Sequence, residues 1–193
     1  MSSLGSGTSG EEDLRMIREI KRHIRTVEDF PKPGISFKDI TPLLDDGPAL
    51  HQAIDALSSV VEHLHYDRVV CAEARGFVFG TALAYSMKKG LILARKPNKL
   101  PGRTISAEYD LEYGTDALEA HLDSIPPGTR VLVADDLLAT GGTARAMCQL
   151  VENAGGVVAG AAFMIELGYL EGRKLLEPYE VVSLINYKTP DSP

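Results

Sequence analysis

Residues 131–143 read Val-Leu-Val-Ala-Asp-Asp-Leu-Leu-Ala-Thr-Gly-Gly-Thr, an apolar run followed by two acids and a segment of small residues. The apolar residues 131–134 predict a short strand that is buried on both faces of a parallel sheet. Asp135 and Asp136 then fall at the carboxyl end of that strand, and open α/β sheets bind their ligands at this edge. The pattern therefore predicts a ligand site over residues 135–143.

The segment that follows the two acids is typical of an anion-binding loop. Gly141 and Gly142 allow backbone conformations that other residues avoid, so several N–H groups can turn toward one centre. Thr140 and Thr143 add hydroxyl donors, and a helix predicted over residues 143–153 would add unpaired amides and the positive end of its dipole. This block matches neither the P-loop pattern G-x-x-x-x-G-K-[ST] nor the dinucleotide pattern G-x-G-x-x-G, so neither class of site is indicated here.

The two adjacent carboxylates need a different partner, because they cannot attract a phosphate themselves. Sugar hydroxyls or a divalent cation would suit them, and a phosphorylated ribose with Mg²⁺ would satisfy both the acids and the loop. The alternative is an ordinary strand-to-helix turn in which Asp135 or Asp136 caps the helix and the glycines form the corner. Two acids, a small-residue loop and a helix start in one block favour the functional interpretation.

Composition limits the classes of protein that this chain can represent. Its 193 residues, 44% of them hydrophobic, suit one domain with a small appendage, and a net charge of −7 argues against broad nucleic-acid binding. No apolar run approaches the ~20 residues of a bilayer span, and the N-terminus lacks the hydrophobic region of a signal peptide, so we expect a cytoplasmic protein. Cys71 and Cys148 predict no disulfide framework, and no Cys/His spacing indicates a zinc site.

The recurrence of strand and helix patterns predicts an α/β protein with a doubly wound, mostly parallel sheet flanked by helices. Residues 1–10, rich in serine and glycine, are expected to be disordered, residues 11–44 form an N-terminal segment, and residues 45–193 form the core. Residues 96–114 carry little to bury and are long enough to be a mobile lid. Strands are predicted at residues 69–72, 91–94, 118–122, 131–134, 157–165 and 181–185, and helices at residues 11–25, 50–64, 77–89 and 143–153.

The block at residues 131–143 resembles the phosphoribosyl pyrophosphate signature of the type I phosphoribosyltransferases, and its form is similar in particular to that of the adenine-specific members. The resemblance covers about residues 14–188. Four further segments resemble, in turn, the purine-binding N-terminal segment, the pyrophosphate loop, and the start and the end of the mobile loop of that family: residues 30–44, 73–77, 95–102 and 109–114.

The resemblance implies the type I phosphoribosyltransferase fold with a small N-terminal hood formed by residues 11–44. It implies an enzyme of purine salvage that transfers ribose 5-phosphate from phosphoribosyl pyrophosphate to adenine, giving AMP and pyrophosphate. Mg²⁺ would be the cofactor, held mainly by the substrate, and the enzyme would be a homodimer. Neither nucleic acid nor a membrane is expected as a partner.

The resemblance also implies which residues hold the sugar phosphate and the pyrophosphate. Asp135 and Asp136 would bind ribose hydroxyls and, through them or through water, Mg²⁺. A cis peptide bond would join Glu73 and Ala74. The 5-phosphate would be anchored by Ala139, Thr140, Gly141, Gly142 and Thr143, and the pyrophosphate by Glu73, Ala74, Arg75, Arg95 and Lys99.

Adenine binding and proton transfer are implied in the same way. Phe37 would offer an aromatic face to the base and Leu167 an apolar cover, although core packing is the usual role of such residues. The backbone at Ser36 and Lys38 would read the edge of adenine. Glu112, at the far end of the lid, resembles the catalytic glutamate of the family, which is placed to handle a proton on the purine ring; without the resemblance it would be assigned to a turn.

Two alternatives remain open at this point. The chain could use another base, such as hypoxanthine, guanine or orotate. It could also be a non-catalytic regulator that senses phosphoribosyl pyrophosphate, although such regulators carry an N-terminal DNA-binding module, for which the residues before the hood are too few.

Overall fold

The structure, a computed structural model, describes residues 8–110 and 115–190. Its contacts form two compact units that divide between Ala56 and Leu57. This boundary lies inside a continuous helix, Gly47–Val61, so it does not test the division predicted from the sequence. The tail at residues 1–10, the hood at residues 11–44 and the core at residues 45–193 therefore stay predictions.

The N-terminal unit contains two short strands that pair antiparallel. Arg25 lies opposite Asp39 and Val27 opposite Phe37, and the Arg25 guanidinium donates to Asp39 Oδ2 at 2.5 Å. The first helix ends at Arg22, earlier than predicted, and the stretch that resembles the purine-binding segment, residues 30–44, contains a strand and most of a short helix. The elements are α1 (Thr8–Arg22), β1 (Arg25–Val27), β2 (Phe37–Asp39), α2 (Thr41–Asp45) and the first part of α3 (Gly47–Val61).

The C-terminal unit is built on a five-stranded parallel sheet with the strand order β4-β3-β7-β8-β9. The predicted α/β class and the doubly wound parallel sheet are thus confirmed. Short 3-10 turns cover Leu122–Ser124, Gly168–Leu170 and Gly172–Leu176. The strands and helices are β3 (Arg68–Ala72), α4 (Gly76–Ser86), β4 (Gly90–Ala94), β5 (Thr104–Asp110), β6 (Thr115–His121), β7 (Arg130–Leu138), α5 (Gly142–Asn153), β8 (Val157–Leu167) and β9 (Val181–Tyr187).

Helices cover both faces of this sheet, which explains why its strands read as unbroken apolar runs. On one face, Val70 and Val133 pack in a buried cluster with Met147 and Leu150 of α5. Cys71 points to the other face, because successive strand residues alternate. There α4 approaches so closely that a β-carbon added at its Gly80 would lie 2.6 Å from the Cys71 sulfur.

The strand order opens a crevice between β3 and β7. From β3 the chain crosses through α4 to β4 on one side, and from β7 it crosses through α5 to β8 on the other. The loops that leave these two neighbouring strands therefore diverge at the carboxyl edge, and this divergence is where open α/β sheets bind ligands. The loop after β3 and the loop after β7 contain the two segments whose sequences predict a ligand site, residues 73–77 and 135–143.

The interval predicted to be a lid, residues 96–114, is partly a regular strand. β5 pairs antiparallel with β6, from Thr104 opposite His121 to Asp110 opposite Thr115. Ile105, Ala107 and Tyr109 alternate along β5 and pack against the core on the α5 side. The prediction followed the turn residues at the start of the interval and overlooked this alternation. Residues 111–114, with Glu112 among them, lie outside the described part of the chain.

Two further observations bear on the expectations from composition. None of the helices within residues 8–110 and 115–190 has the length and apolar run that crossing a bilayer requires. Cys71 and Cys148 are buried and unbonded to one another, and burial raises the pKa of each thiol to about 12. Neither cysteine therefore has the character of a reactive thiolate.

Candidate functional site

The two acids lie within β7, not after it. β7 continues to Leu138, and Asp135 is still paired with Phe163 of β8. On the other side, pairing with β3 ends at Ala134. The prediction that the strand stops at residue 134 was therefore wrong, because pairing with a later strand carries it further. The acids are held by β8 on one side and border the crevice on the other.

The loop between β7 and α5 is correspondingly shorter than predicted. α5 begins at Gly142, and Gly141 caps it in a left-handed conformation with φ 91°. A β-carbon at Gly141 would be strained by this φ and would also lie 2.5 Å from the carbonyl oxygen of Gly172. No side-chain hydrogen bond caps α5, so its first amides and its dipole face the loop. This arrangement suits an anionic ligand.

The two acids have different surroundings. Both side chains are buried, and Asp135 Oδ1 accepts a hydrogen bond from the backbone N–H of Asp136 at 2.9 Å. Burial raises the pKa of Asp135 well above its ordinary value, and the neighbouring charge of Asp136 adds to the rise. Asp136 Oδ2 instead accepts from Arg75 Nε at 2.6 Å. One acid is therefore biased toward its neutral form, whereas the other has a cationic partner.

Gly76 is a part of the site that the sequence analysis did not single out as a contact. It opens α4, and a β-carbon added there would lie 3.2 Å from Asp135 Cγ and nearer still to Oδ1. The start of α4 can approach β7 only because residue 76 has no side chain. Residues 73–76 follow a predicted strand, but the partner of Gly76 is distant in sequence and could not be identified from the local pattern.

The loop after β3 carries the cis peptide bond between Glu73 and Ala74, as the resemblance implied. The Glu73 carboxylate accepts from Arg95 Nε at 2.9 Å and from the backbone N–H of Lys96 at 2.8 Å. The Lys96 amide and the Arg95 guanidinium lower the pKa of Glu73. Glu73 therefore links this loop to the segment that leaves β4, a role for its side chain that was not predicted.

The segment after β4 is tied to the β5–β6 hairpin. The backbone of Arg95 exchanges two hydrogen bonds with Glu119, at 2.8 and 2.7 Å, and Arg95 Nη1 donates to the carbonyl of Lys99 at 3.1 Å. Lys96 Nζ pairs with Asp116 and donates to the Tyr109 hydroxyl at 2.8 Å. The ammonium of Lys96 lowers the pKa of Asp116. Lys96 and Asp116 were not among the predicted residues.

The predicted ribose and 5-phosphate residues, together with the predicted pyrophosphate residues Glu73, Ala74 and Arg75, line one cavity of about 370 Å³ in the C-terminal unit. Arg95 and Lys99 are not among its lining residues. The cavity is lined by Glu73, Ala74, Arg75, Gly76, Asp135, Asp136, Leu137, Leu138, Ala139, Thr140, Gly141, Gly142, Thr143 and Ala144.

The predicted adenine residues are divided between the two units. Phe37 and Lys38 lie on β2, and Ser36 directly precedes it. The Phe37 ring packs edge-on against Phe30 with 5.2 Å between centroids, and Lys38 Nζ donates to the Thr26 hydroxyl at 3.1 Å. In the C-terminal unit, Leu167 is the last residue of β8 and is buried. Their convergence on a base, like the role of Glu112, stays a prediction.

The comparisons with known proteins agree with this site. The model of the phosphoribosyl transferase domain matches residues 41–191. An adenine phosphoribosyltransferase from Rubrobacter xylanophilus is 68% identical over 177 residues, which cover 91% of this chain and 96% of that protein. An adenine phosphoribosyltransferase from Desulfitobacterium hafniense is 55% identical and covers 88% of this chain and 98% of its own length.

Solved structures show the same fold. The adenine phosphoribosyltransferase of Thermoanaerobacter pseudethanolicus is 50% identical, with a TM-score of 0.87 over 89% of this chain and 99% of its own. The enzyme of Saccharomyces cerevisiae, solved with an imino-altritol bisphosphate and adenine, is 34% identical, with a TM-score of 0.83 over 89% of this chain and 99% of its own. The chain thus belongs to the phosphoribosyl transferase family and, within it, to the adenine phosphoribosyltransferases.

Proposed function

We propose that this protein transfers ribose 5-phosphate from phosphoribosyl pyrophosphate to adenine, giving AMP and pyrophosphate. It is a phosphoribosyltransferase, a pentosyl-transferring enzyme, and the reaction is a step of purine salvage. The observation that carries the proposal is one cavity that is lined by the loop carrying Arg75, by the two acids and by the amide loop after β7. These three elements match the diphosphate, the ribose and the 5-phosphate of one substrate.

The 5-phosphate is assigned to the loop after β7, residues 139–143. The left-handed Gly141 and the start of α5 bring backbone N–H groups and the helix dipole to one place. The hydroxyls of Thr140 and Thr143 can add hydrogen bonds. Because most of these donors belong to the backbone, the site depends on the shape of the loop more than on any single side chain.

The ribose is assigned to Asp135 and Asp136. The carboxyl oxygens can accept hydrogen bonds from the two ring hydroxyls, and the negative charge of Asp136 favours the positive charge that develops at the sugar carbon as the bond to pyrophosphate breaks. Arg75 holds Asp136 at 2.6 Å, so this carboxylate keeps its position before substrate arrives. Such preorganisation is what makes electrostatic stabilisation effective.

The donor set fits a magnesium ion that the substrate brings with it. Within residues 8–110 and 115–190, no group of three or more acidic, histidine or cysteine side chains gathers as a cation site. Mg²⁺ is commonly held by one or two carboxylates together with phosphate oxygens and water, and Asp135 and Asp136 would be those carboxylates, acting indirectly. Bound there, Mg²⁺ would neutralise charge on the departing diphosphate.

The pyrophosphate is assigned to Glu73, Ala74 and Arg75, with Arg95 and Lys99 at the base of the lid. Glu73 acts through its backbone, because its carboxylate is engaged by Arg95 and Lys96. The guanidinium of Arg75 can meet diphosphate oxygens bidentately. Closure of residues 96–114 would exclude the water that could hydrolyse the activated sugar.

The base is assigned to Ser36, Phe37, Lys38 and Leu167, and the proton on the purine ring to Glu112. The named ligand adenine in the yeast structure supports this choice of base. Carbonyl acceptors facing the exocyclic amine would reject hypoxanthine, because a keto oxygen there leaves a buried acceptor unpaired.

The decisive experiment measures pyrophosphate release from phosphoribosyl pyrophosphate with adenine, hypoxanthine, guanine or orotate, each with and without Mg²⁺. We expect release with adenine and Mg²⁺ and at least about a hundredfold less with the other bases. Equal rates with another base would overturn the choice of adenine. Calorimetric binding of phosphoribosyl pyrophosphate without any turnover would instead favour a metabolite-sensing regulator.

We also propose that the enzyme is a cytoplasmic homodimer. Apolar side chains of α4 and of the edge strand β4 are exposed in the single chain: Val78 is 40%, Tyr85 87% and Leu93 39% accessible. A second copy could cover them, since Val78 and Tyr85 lie two turns apart on one face of α4. The two unbonded buried cysteines are consistent with a reducing compartment. Light scattering after size exclusion tests the dimer, and Tyr85→Glu should dissociate it.

A further inference from the structure

The backbone of Gly172 lies directly behind the loop after β7. A β-carbon added at Gly172 would lie 2.8 Å from the carbonyl carbon of Thr140, 2.9 Å from the amide nitrogen of Gly141 and closer still to the carbonyl oxygen of Ala139. The contact is reciprocal, because a β-carbon at Gly141 would meet the carbonyl of Gly172. Both glycines are buried. The loop therefore rests on another piece of main chain with no side chain between them.

The segment behind the loop is itself fixed by a charged side chain. Arg173 donates to both carboxylate oxygens of Glu166, at 3.0 and 2.6 Å, and to the carbonyl of Val181 at 2.6 Å. Glu166 is only 4% exposed and also accepts from the Ser183 hydroxyl at 2.6 Å. These partners lie on β8 and β9, so the residue that follows Gly172 is anchored to two strands of the sheet.

We infer that Gly172 and Arg173 are positioning residues for the 5-phosphate. The inference rests on the proposed function, which assigns residues 139–143 to that phosphate. Neither residue lines the cavity. Arg173 holds Gly172 against the sheet, and Gly172 holds the backbone of residues 139–141 in the conformation that turns its amides toward the ligand. A side chain at residue 172 would push this backbone into the space of the phosphate.

The preference of the protein for AMP over adenosine distinguishes a positioning role of Gly172 and Arg173 from a general effect on folding. The ratio of the adenosine to the AMP dissociation constants measures what the phosphate contributes to binding, since the two ligands otherwise share every atom. Gly172 has no positive φ, so Gly172→Ala changes the contact without adding backbone strain. We expect this variant to lower the ratio by about tenfold, the loss that follows when one charge-assisted hydrogen bond is misplaced, with adenosine affinity unchanged.

Gly168→Ala is the matched control. Its β-carbon would also be crowded, 2.5 Å from Asn186 Oδ1, but it would meet that side chain and not the loop. It lies in the same connection between β8 and β9 and also has no positive φ. The ratio should keep its wild-type value in this variant. An unchanged ratio in Gly172→Ala, or an equal fall in both variants, overturns the inference.

A second pair of variants tests the anchor and remains informative if Gly172→Ala does not fold. Arg173→Lys keeps the charge but loses the two-pronged contact with Glu166, and should lower the ratio about threefold. Its control, Lys174→Arg, alters the next residue, whose ion pair with Glu171 is exposed and local to the turn. An unchanged ratio in Arg173→Lys overturns the anchoring role.

The same titrations distinguish failure of the inference from failure of the proposed function. Thr143→Ala, in the loop itself, should also lower the ratio. If the wild-type protein binds AMP no better than adenosine, the loop is not the phosphate site and the proposed function fails. If the wild-type protein prefers AMP and Gly172→Ala leaves the ratio unchanged, only the positioning role is lost.

Discussion

The loops after β3 and β7 face each other across one crevice but are built by opposite means. The loop after β7 depends on main-chain shape, with a left-handed Gly141 resting on Gly172. The loop after β3 depends on charged side chains, in which Glu73 joins Arg95 and Arg75 joins Asp136. We expect the first to act as a fixed anion site, whereas the ion pairs of the second can exchange partners when diphosphate arrives and leaves.

The largest effect should come from the acid that connects the two loops. Asp136→Asn removes the charge that pairs with Arg75 and that faces the developing positive charge on the sugar. Turnover should fall by about a hundredfold or more while the fold survives. Steady-state kcat and KM for phosphoribosyl pyrophosphate, with circular dichroism for the fold, provide the measurement.

The control for this change is Asp123→Asn, because Asp123 is exposed in a 3-10 turn and does not line the cavity. It should leave kcat and KM unaltered. A near-normal turnover in Asp136→Asn would show that this carboxylate does not take part in the reaction. It would also contradict the view that Asp136 connects the two loops functionally.

Alanine substitutions at two glycines with similar φ test whether the loop after β7 depends on its main-chain shape. Gly141→Ala, at φ 91°, strains the backbone and also meets Gly172, whereas Gly128→Ala, at φ 81°, has open space around the new β-carbon. Each should lose about 1–2 kcal/mol of unfolding free energy from the φ alone. Only Gly141→Ala should lose more than this and raise the KM for phosphoribosyl pyrophosphate, by about tenfold.

Urea unfolding of both variants, with kinetics on the same preparations, separates the two contributions. If both variants lose the same unfolding free energy and keep the wild-type KM, the main-chain shape of the loop after β7 does not matter for the ligand. The proposed difference between this loop and the loop after β3 would then be wrong.

Substitution of the buried acid Asp135 should raise the free energy of unfolding, whereas substitution of its neighbour Asp136 should lower turnover. The pKa of Asp135 is raised by burial and by the charge of Asp136. A raised pKa means that the protonated carboxyl stabilises the fold fully below the unfolded pKa, and that this contribution is lost as the pH rises through the folded pKa. Asp135→Asn keeps a neutral group of similar shape, so it should have a higher free energy of unfolding than wild type at neutral pH.

Unfolding free energies of wild type and Asp135→Asn at about pH 5 and about pH 8 test the sign, because the advantage of the variant should be larger at the higher pH. A variant that is less stable at both values, or an advantage that shrinks as the pH rises, would show that the carboxylate is stabilised in the fold.

The smallest effect should come from the ion pair at the base of the lid. Lys96 and Asp116 are 38% and 28% exposed, so solvent weakens their attraction. A double-mutant cycle with Lys96→Gln and Asp116→Asn should give a coupling energy of about 0.5 kcal/mol that falls further with added salt. If the coupling energy does not fall with added salt, the pair is shielded from solvent and is a fixed contact, like the loop after β7.

Much of the site was predictable because its residues are local in sequence. Asp135, Asp136 and the two glycines come directly after the apolar run at residues 131–134, and residues 73–76 follow another strand, so the parallel sheet alone brings both groups to one edge. The end of β7 was not predictable, because its last residues are held by pairing with β8. The strand β5 was overlooked, although its alternating Ile105, Ala107 and Tyr109 carried the signal.

The contacts that support the site could not be read from the sequence, for a physical reason. Gly172 meets the loop after β7 across about thirty residues of chain, and nothing near Gly172 marks it as more than a turn residue. Lys96 finds Asp116 only because β5 and β6 form a hairpin. Sequence patterns predicted the groups that meet the ligand, whereas the groups that hold them depend on tertiary contacts.

Gly76 determines how wide the mouth of the crevice can be. α4 begins there, and the space that a methyl group would need is already filled by the Asp135 carboxylate. Any larger residue would act as a wedge between the helix and the strand, and Arg75 would be carried away from Asp136 with it. The width of the crevice into which a nucleotide must fit therefore depends on the hydrogen atom that Gly76 has in place of a side chain. Residue 76 is thus a suitable position at which to widen the site for bulkier sugars.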